Sequence, residues 1–440
     1  MQEEKREVVV RRVVARKLSV SEAAPLLGIS ERQLWRLKAR YIEEGASALE
    51  HGNRGRVPAN RIEDALRERI VRLARTRYAG VNDSHLAELL AEREGIPVAR
   101  RTLQRILRGA GLASPRAHRP PRYRSRRERA ASAGALVLVD GSRHRWFGTA
   151  HPYACCIAAI DDATGEVIGA TFREQEDAAG HFTVLGQMLT TKGAALAMYS
   201  DRHSVFWRSL KERESREEEL LGVRTPTQFG RALAELGTQA IFANSAQAKG
   251  RIERLWGTWQ DRLYQELRLE GIHDLDAANR FLARYLPRHN ARFAVAAADS
   301  EPSWQPLPEG KTVESVCCFK YVRVVAPDNT VRLGGALVQL PPRSQHWSWV
   351  GQRIEARQHL DGSWSVHAPD GRELVRTARA EGPAKLLTQP YVRAPISGVP
   401  PLPWRPQAEH PWRKKDSLSG WHPAAARRTL ATARQKGHAV

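Results

Sequence analysis

Apolar and polar positions along this chain keep three rhythms. Over residues 1–113 the apolar ones recur at three- and four-residue intervals, the spacing of amphipathic helices. Ile62, Leu66, Ile70 and Leu73 mark one helix, Leu86, Leu89 and Leu90 a second, and Leu103, Ile106 and Leu107 a third, with Arg100, Arg101 and Arg105 on its opposite side. From 132 to 300 short continuous apolar runs alternate with helical stretches. They predict strands at 135–140, 153–160, 166–172, 194–200 and 239–243, helices at 177–190, 227–236 and 245–267, and a helical tract at 275–290 packed beside them. Beyond residue 312 the period shortens to two, in runs starting at Phe319, Thr330, Ala336, Arg353 and Ser363. Pro327-Asp-Asn329, Asp361-Gly362 and Asp370-Gly371 punctuate these short strands as turns.

The first fifty residues hold two short capped helices. Ser19 with Glu22, and Ser30 with Gln33, fit the capping box, Ile29 can staple onto Leu34, and Gly28 supplies a left-handed stop between them. This predicts a helix-turn-helix domain over 1–50, with Arg32, Gln33 and Arg36 directed to a DNA major groove. Pro25 predicts that the first helix of the pair is short or bent. Residues 51–60 form a basic linker in which Arg54-Gly55-Arg56 resembles an AT-hook, with a plain tether the equal alternative. The helices over 61–113 predict a second helix-turn-helix or winged-helix domain, reading DNA through Arg100, Arg101 and Arg105. Arginine and proline crowd 114–131, which predicts an extended linker tracking phosphates. The tail at 400–440 carries eight basic residues against Glu409 and Asp416.

Charge sharpens this picture: 70 Lys and Arg against 48 acids give +22, which predicts a polyanionic partner, double-stranded DNA above all. Hydrophobic residues make up 42%, enough for packed cores and too many for a disordered chain. No apolar run reaches the ~18 residues of a membrane span, and the charged start Met1-Gln-Glu-Glu-Lys5 has no signal-peptide core. A cytoplasmic, nucleoid-associated protein without membrane contact is expected. The cysteines form two adjacent pairs, Cys155-Cys156 and Cys317-Cys318, whose side chains would leave a strand on opposite faces, so they are expected as core residues rather than chelators.

Candidate chemistry begins where apolar runs end in acid. Ala135-Leu-Val-Leu-Val-Asp140 reads as a strand buried on both faces that leaves its acid at the tip, and the run from Ala194 ends likewise at Asp201. Glu253 lies early in a helical segment. Three converging carboxylates would repel by roughly 4 kcal/mol per pair at about 4 Å and effective dielectric 20, unless a cation joins them. Asp161 and Asp162, beside Gly165, read instead as turn residues.

The blocks Asp140-Gly-Ser-Arg-His144-Arg-Trp-Phe147, Tyr199-Ser-Asp201-Arg-His203-Ser-Val-Phe206 and Gln247-Ala-Lys-Gly-Arg-Ile-Glu253-Arg-Leu-Trp-Gly-Thr258 resemble the signature blocks of DDE transposases with a retroviral-integrase-like core, most closely the ISNCY-type transposases of bacterial insertion sequences. That resemblance implies a multidomain α+β protein: N-terminal helix-turn-helix units, an RNase H-like α/β catalytic core over 132–300 and a small β-barrel over 312–380. It implies that Asp140, Asp201 and Glu253 hold two Mg²⁺ (or Mn²⁺) ions, cleave DNA and transfer a 3′ hydroxyl to target DNA. It also implies a homo-oligomer on paired element ends. Lys249, Arg251 and Arg254 could clamp phosphates, with solvated helix charges the alternative, while for His144 and His203 orienting and structural roles stay open. Trp256 and Trp259 read most simply as core. A catalytically silent, transposase-derived DNA-binding regulator is the other reading, which three intact acids disfavour.

Overall fold

The structure is a computed structural model that describes residues 2–49, 61–115, 128–207, 226–242, 250–334, 336–343 and 348–378. Arg54, Arg56, Lys249, most of the 114–131 linker and the basic tail lie outside them. Two compact units divide the chain, Met1–Leu73 and Ala74–Val440.

In the first unit α1 (Gln2–Val14), α2 (Val20–Leu27) and α3 (Glu31–Glu44) enclose Val10, Val13, Ala23, Ala24, Leu34 and Leu49. Both capping boxes form: the Ser19 hydroxyl accepts from the Glu22 amide and the Ser30 hydroxyl from the Gln33 amide, while each partner side chain takes the cap residue's N–H. Gly28 turns the chain at φ +65, where a side chain would be strained. Helix α2 spans only eight residues, Pro25 included. Helix α4 (Asp64–Arg75) crosses the boundary between the units.

The second unit opens with α5 (Asp83–Glu94) and α6 (Arg100–Gly109), the former capped by Asn82 and stopped by Gly95 in the left-handed region. A five-stranded sheet follows: β1 (Leu136–His144), β2 (Ala154–Asp161), β3 (Val167–Arg173), β4 (Ala197–Ser200) and β5 (Gln239–Phe242), ordered β3-β2-β1-β4-β5. The first three strands pair antiparallel, whereas β1-β4 and β4-β5 run parallel. Every residue of β2 is buried, because the sheet is covered on both faces. One face, with Val137, Val139, Cys155 and Ile157, packs on α7 (Ala178–Thr191) and α8 (Gln228–Leu236). The other, with Leu136, Leu138, Ala158, Ala197 and Tyr199, packs on α9 (Gly250–Asp261), α10 (Leu263–Leu269) and α11 (Leu275–Phe293). The single helix expected over 245–267 is interrupted at Arg262, whose guanidinium is drawn into a two-pronged bond with Glu88 at 2.7 and 2.9 Å. All four cysteines are buried and unbridged, and burial pushes the Cys155 and Cys317 thiols up to about 12.

Strand β3 is an edge strand whose outer backbone groups are taken by side-chain amides. Asn279 accepts from the Phe172 N–H at 2.7 Å and donates to its carbonyl at 3.1 Å, Asn290 does the same for Val167 at 2.9 Å each, and Gln187 bridges Ala170 at 2.8 and 3.3 Å. Gly169 is what admits Gln187, since a Cβ there would lie 2.8 Å from its Oε1.

Beyond α12 (Val313–Val316) the strands do not close into the expected barrel among the described residues. β6 (Phe319–Val324), β9 (Arg353–Gln358), β10 (Trp364–His367) and β11 (Glu373–Arg376) form an open antiparallel sheet, β11-β10-β9-β6, and β7 (Thr330–Leu333) with β8 (Ala336–Gln339) a separate hairpin. The physical reason is that Tyr321, Ile354, Ala356, Trp364 and Val366 bury their apolar face in one core with Phe182 and Phe229 of the α/β layer, not against each other across a lumen. A buried ionic knot fastens this contact: Glu235 binds Arg231 at 2.8 Å and Lys320 at 2.9 Å, and Arg231 donates to the carbonyls of Val316 and Cys318.

Candidate active site

The expected strand tip at Asp140 is not one: β1 runs on to His144 because β2 pairs with it that far, so Asp140 is the fifth of its nine residues, while Asp201 is the first residue after β4. The parallel register pairs Leu136 with Ala197 and Leu138 with Tyr199, where the ladder ends, and Asp140 and Asp201 each lie two residues further along the chain. Neighbouring strands lie about 4.8 Å apart, and side chains at matched positions share a face. That face is the one holding Leu138 and Tyr199, against α9.

Helix α9 reaches the same place. Its Trp256 indole N–H donates to Asp140 Oδ2 at 3.0 Å, and one turn on, Gln260 donates to the Ser142 hydroxyl at 3.2 Å, so the helix is matched to alternate residues of β1. Glu253 precedes Trp256 by three residues, a spacing that puts their Cβ atoms roughly 5 to 6 Å apart on one side of the helix. Glu253 is exposed, while Asp140 and Asp201 are half-buried. Asp201 also shapes its own turn, with Oδ1 accepting from the His203 amide at 2.8 Å. His203 Nδ1 faces the Val205 amide at 3.5 Å, and His144 packs edge-on against Trp146 and Tyr264, with burial lowering its pKa.

On the reverse of the sheet the absence of a side chain at Gly141 lets the Glu176 carboxyl lie against β1; an added Cβ would stand 2.6 Å from Glu176 Cδ. Glu176 in turn meets the buried His181 at 3.0 Å, whose ring packs on Phe206 in the turn that follows Asp201. Neither Glu176 nor Trp256 emerged from the sequence as part of this cluster, although the three-residue step from Glu253 to Trp256 was a usable signal.

Asp161 and Asp162 are wholly buried and structural. Asp161 accepts from Gly134 and Thr164, Asp162 from the Ala130 amide, and burial raises the Asp161 pKa. Arg251, expected to reach a phosphate, instead bonds Asp162 at 2.7 Å with its side chain 15% exposed. Arg254 is exposed, as are Arg32, Gln33 and Arg36 on α3 and Arg100, Arg101 and Arg105 on α6. The Gln33 carbonyl oxygen is occupied by the Ser30 N–H at 3.0 Å.

The donor set fits Mg²⁺ in kind, since three carboxylates offer only hard oxygen ligands. As they stand, no three His, Cys, Asp or Glu side chains among the described residues are gathered closely enough to hold a metal ion.

The α5 helix is tied to α9 and α10 by charges. Glu266, only 3% exposed on its side chain, accepts from Arg93 at 2.7 Å, His85 at 3.1 Å and Arg288 at 3.0 Å; Asn82 donates to Asp261 at 2.8 Å. Burial alone would raise the Glu266 pKa, but His85, Arg288 and Arg93 outweigh it and hold it below the ordinary glutamate value.

Capped N-terminal helices ahead of an α/β sheet that carries acids just past its β1–β4 ladder fit a protein that handles nucleic acid. Comparison with known proteins narrows the class. Residues 10–68 match the winged helix-turn-helix family. The chain is 37% identical over 81% of its length to the putative transposase y4bF of Sinorhizobium fredii, covering 77% of that protein. It is 34% identical over 67% of its length to the transposase for insertion sequence IS1202 of Streptococcus pneumoniae, covering 69% of it. The chain belongs to the family of insertion-sequence transposases. A chain from the simian T-cell lymphotropic virus intasome, solved in complex with PP2A regulatory subunit B56 gamma, is 15% identical, with 74% of this chain and 99% of that chain covered and a TM-score of 0.29, too loose a likeness to assign a fold. No helix among the described residues is long and apolar enough to cross a membrane.

Proposed function

We propose that the chain cuts DNA at the ends of its insertion sequence and joins the freed 3′ hydroxyls to target DNA, through an RNase H-like core whose acids are Asp140, Asp201 and Glu253. The observation that carries this reading is that Asp140 and Asp201 each stand two residues past the last β1–β4 pair, with Glu253 one turn from the Trp256 that bonds Asp140. The strand order β3-β2-β1-β4-β5 supports the same core. The three carboxylates would hold two Mg²⁺ or Mn²⁺ ions, which supply activation of the attacking hydroxyl and neutralise charge at phosphorus.

The chain's own residues do the positioning. Trp256 steers one Asp140 oxygen, the His203 amide fixes the turn of Asp201, and Arg254 and Lys249 draw the phosphodiester towards Glu253. Helices α3 and α6 bind double-stranded DNA through Arg32, Gln33 and Arg36, and through Arg100, Arg101 and Arg105, with Arg54 and Arg56 adding affinity between them. The protein acts as a homo-oligomer on paired ends.

The test is joining of a precut element end to plasmid DNA with Mg²⁺ or Mn²⁺, comparing wild type with Asp140→Asn, Asp201→Asn and Glu253→Gln. Loss of at least two orders of magnitude in all three, with DNA binding kept, is expected. Equal activity in the variants overturns the triad; no joining by any form, with specific end binding, leaves the silent regulator standing.

A further inference from the structure

The hairpin that carries Asp140 ends in a cluster that the acids do not explain. Arg143, near the end of β1, and Arg145, just beyond it, both lie over the ring of Tyr153, at 4.6 and 4.7 Å from its centroid. All three residues are exposed, Tyr153 by 43%, and neither guanidinium has a carboxylate partner among the described residues. Elsewhere in this unit arginines are commonly paired, as Arg93, Arg108, Arg173, Arg231 and Arg262 are.

The cluster is also held in place. Trp146 is 1% exposed and donates to the Ser142 carbonyl at 3.0 Å, and Phe147 is buried against Phe172. Arg145 Nη1 donates to the Thr149 carbonyl at 2.7 Å, and Gly148, at φ +94, makes the turn between them. His151 stacks on His273 at 4.8 Å. Two arms whose ordering entropy is spent on folding present their remaining donors to solvent, and cation–π contact with a ring leaves the guanidinium edge free for oxygen acceptors.

Arg143 stands three residues beyond Asp140, about 10 Å along an extended strand. Duplex DNA presents a phosphate charge about every 1.7 Å of its axis, so that distance spans about six of them. Arg143 and Asp140 leave β1 on opposite faces, so the cluster flanks the acids instead of lining them.

We propose that Arg143, Arg145 and Tyr153 form a phosphate-binding clamp for double-stranded DNA lying across the strand ends, with the tyrosine ring holding the two guanidiniums apart and aimed outward. The inference rests on the DNA-joining reading above but is tested separately from it.

The full chain is titrated with a fluorescent duplex of arbitrary sequence between roughly 50 and 200 mM salt. Arg143→Gln with Arg145→Gln should make the slope of log K against log salt shallower by about 1.8, and weaken binding on the order of tens of fold near 0.1 M, at unchanged melting temperature. Tyr153→Ala should weaken binding and Tyr153→Phe restore it. A control that removes the same charge from the C-terminal sheet region, Arg332→Gln with Arg372→Gln, should leave the slope unchanged. An unchanged slope in the Arg143/Arg145 variant, or an equal loss in the control, overturns the clamp. Asp140→Asn should bind with the wild-type slope while joining nothing; were it to join DNA normally, the triad would fail and the clamp stand.

Discussion

Replacing Trp256 with phenylalanine isolates the contact between α9 and the acid on β1. The ring stays in its layer beside Trp259, at 7% exposure, but the N–H that donates to Asp140 Oδ2 at 3.0 Å is lost. A hydrogen bond to a charged group contributes about 1.5 to 3 kcal/mol, which is roughly 10- to 150-fold in an equilibrium or rate that needs the carboxylate held. The assay is joining of a precut end over a Mg²⁺ titration. Trp256→Phe should lose about one to two orders of magnitude at limiting Mg²⁺ and recover partly at high Mg²⁺, because ligand excess offsets a carboxylate that wanders. Trp259→Phe is the matched control: its indole donates to His289 at 3.3 Å, so it should cost stability without altering the Mg²⁺ requirement. Superimposable titrations for Trp256→Phe and wild type, or the same displacement in both variants, would refute the reasoning.

Two further outcomes concern the scaffold. Glu266→Ala leaves Arg93, Arg288 and His85 without their shared buried acceptor and should lower unfolding free energy by about 3 to 5 kcal/mol, read as a denaturant midpoint at constant slope. His289, buried between Trp259, Tyr285 and Phe293, has its pKa lowered by burial, and secondarily by Arg262, from 6.5 to about 4. Its folded value is below its unfolded one, so its contribution to stability is complete above pH 6.5 and is lost as pH falls towards 4. The loss should be about 3 kcal/mol, and His289→Gln should flatten the stability profile in that window.

Local signals made much of the architecture legible. Ser19, Ser30 and Gly28 marked the first helix pair because capping is decided within four residues. The apolar run into Asp140 marked a central strand because burial on both faces removes polar alternation. What stayed hidden depends on distant partners. The partner of Arg262 at the helix interruption is Glu88, 174 residues earlier, and Glu266 accepts from His85, 181 residues away. Strand β11, too short and polar to declare itself, forms because β10 offers it a ladder. The open C-terminal sheet follows from sharing its core with α7 and α8, which alternation alone cannot distinguish from a barrel interior. For the candidate site, the acids were readable as run endings, whereas the reverse-face contact of Glu176 with Gly141 required the third dimension.

The amides of Gln187, Asn279 and Asn290 act on β3 as a counterfeit neighbouring strand. An edge strand left open is a standing hazard: identical unsatisfied ribbons zip together into open-ended stacks. With those positions already answered from within, a second molecule finds nothing there to extend. Any meeting of two copies is left to surfaces elsewhere.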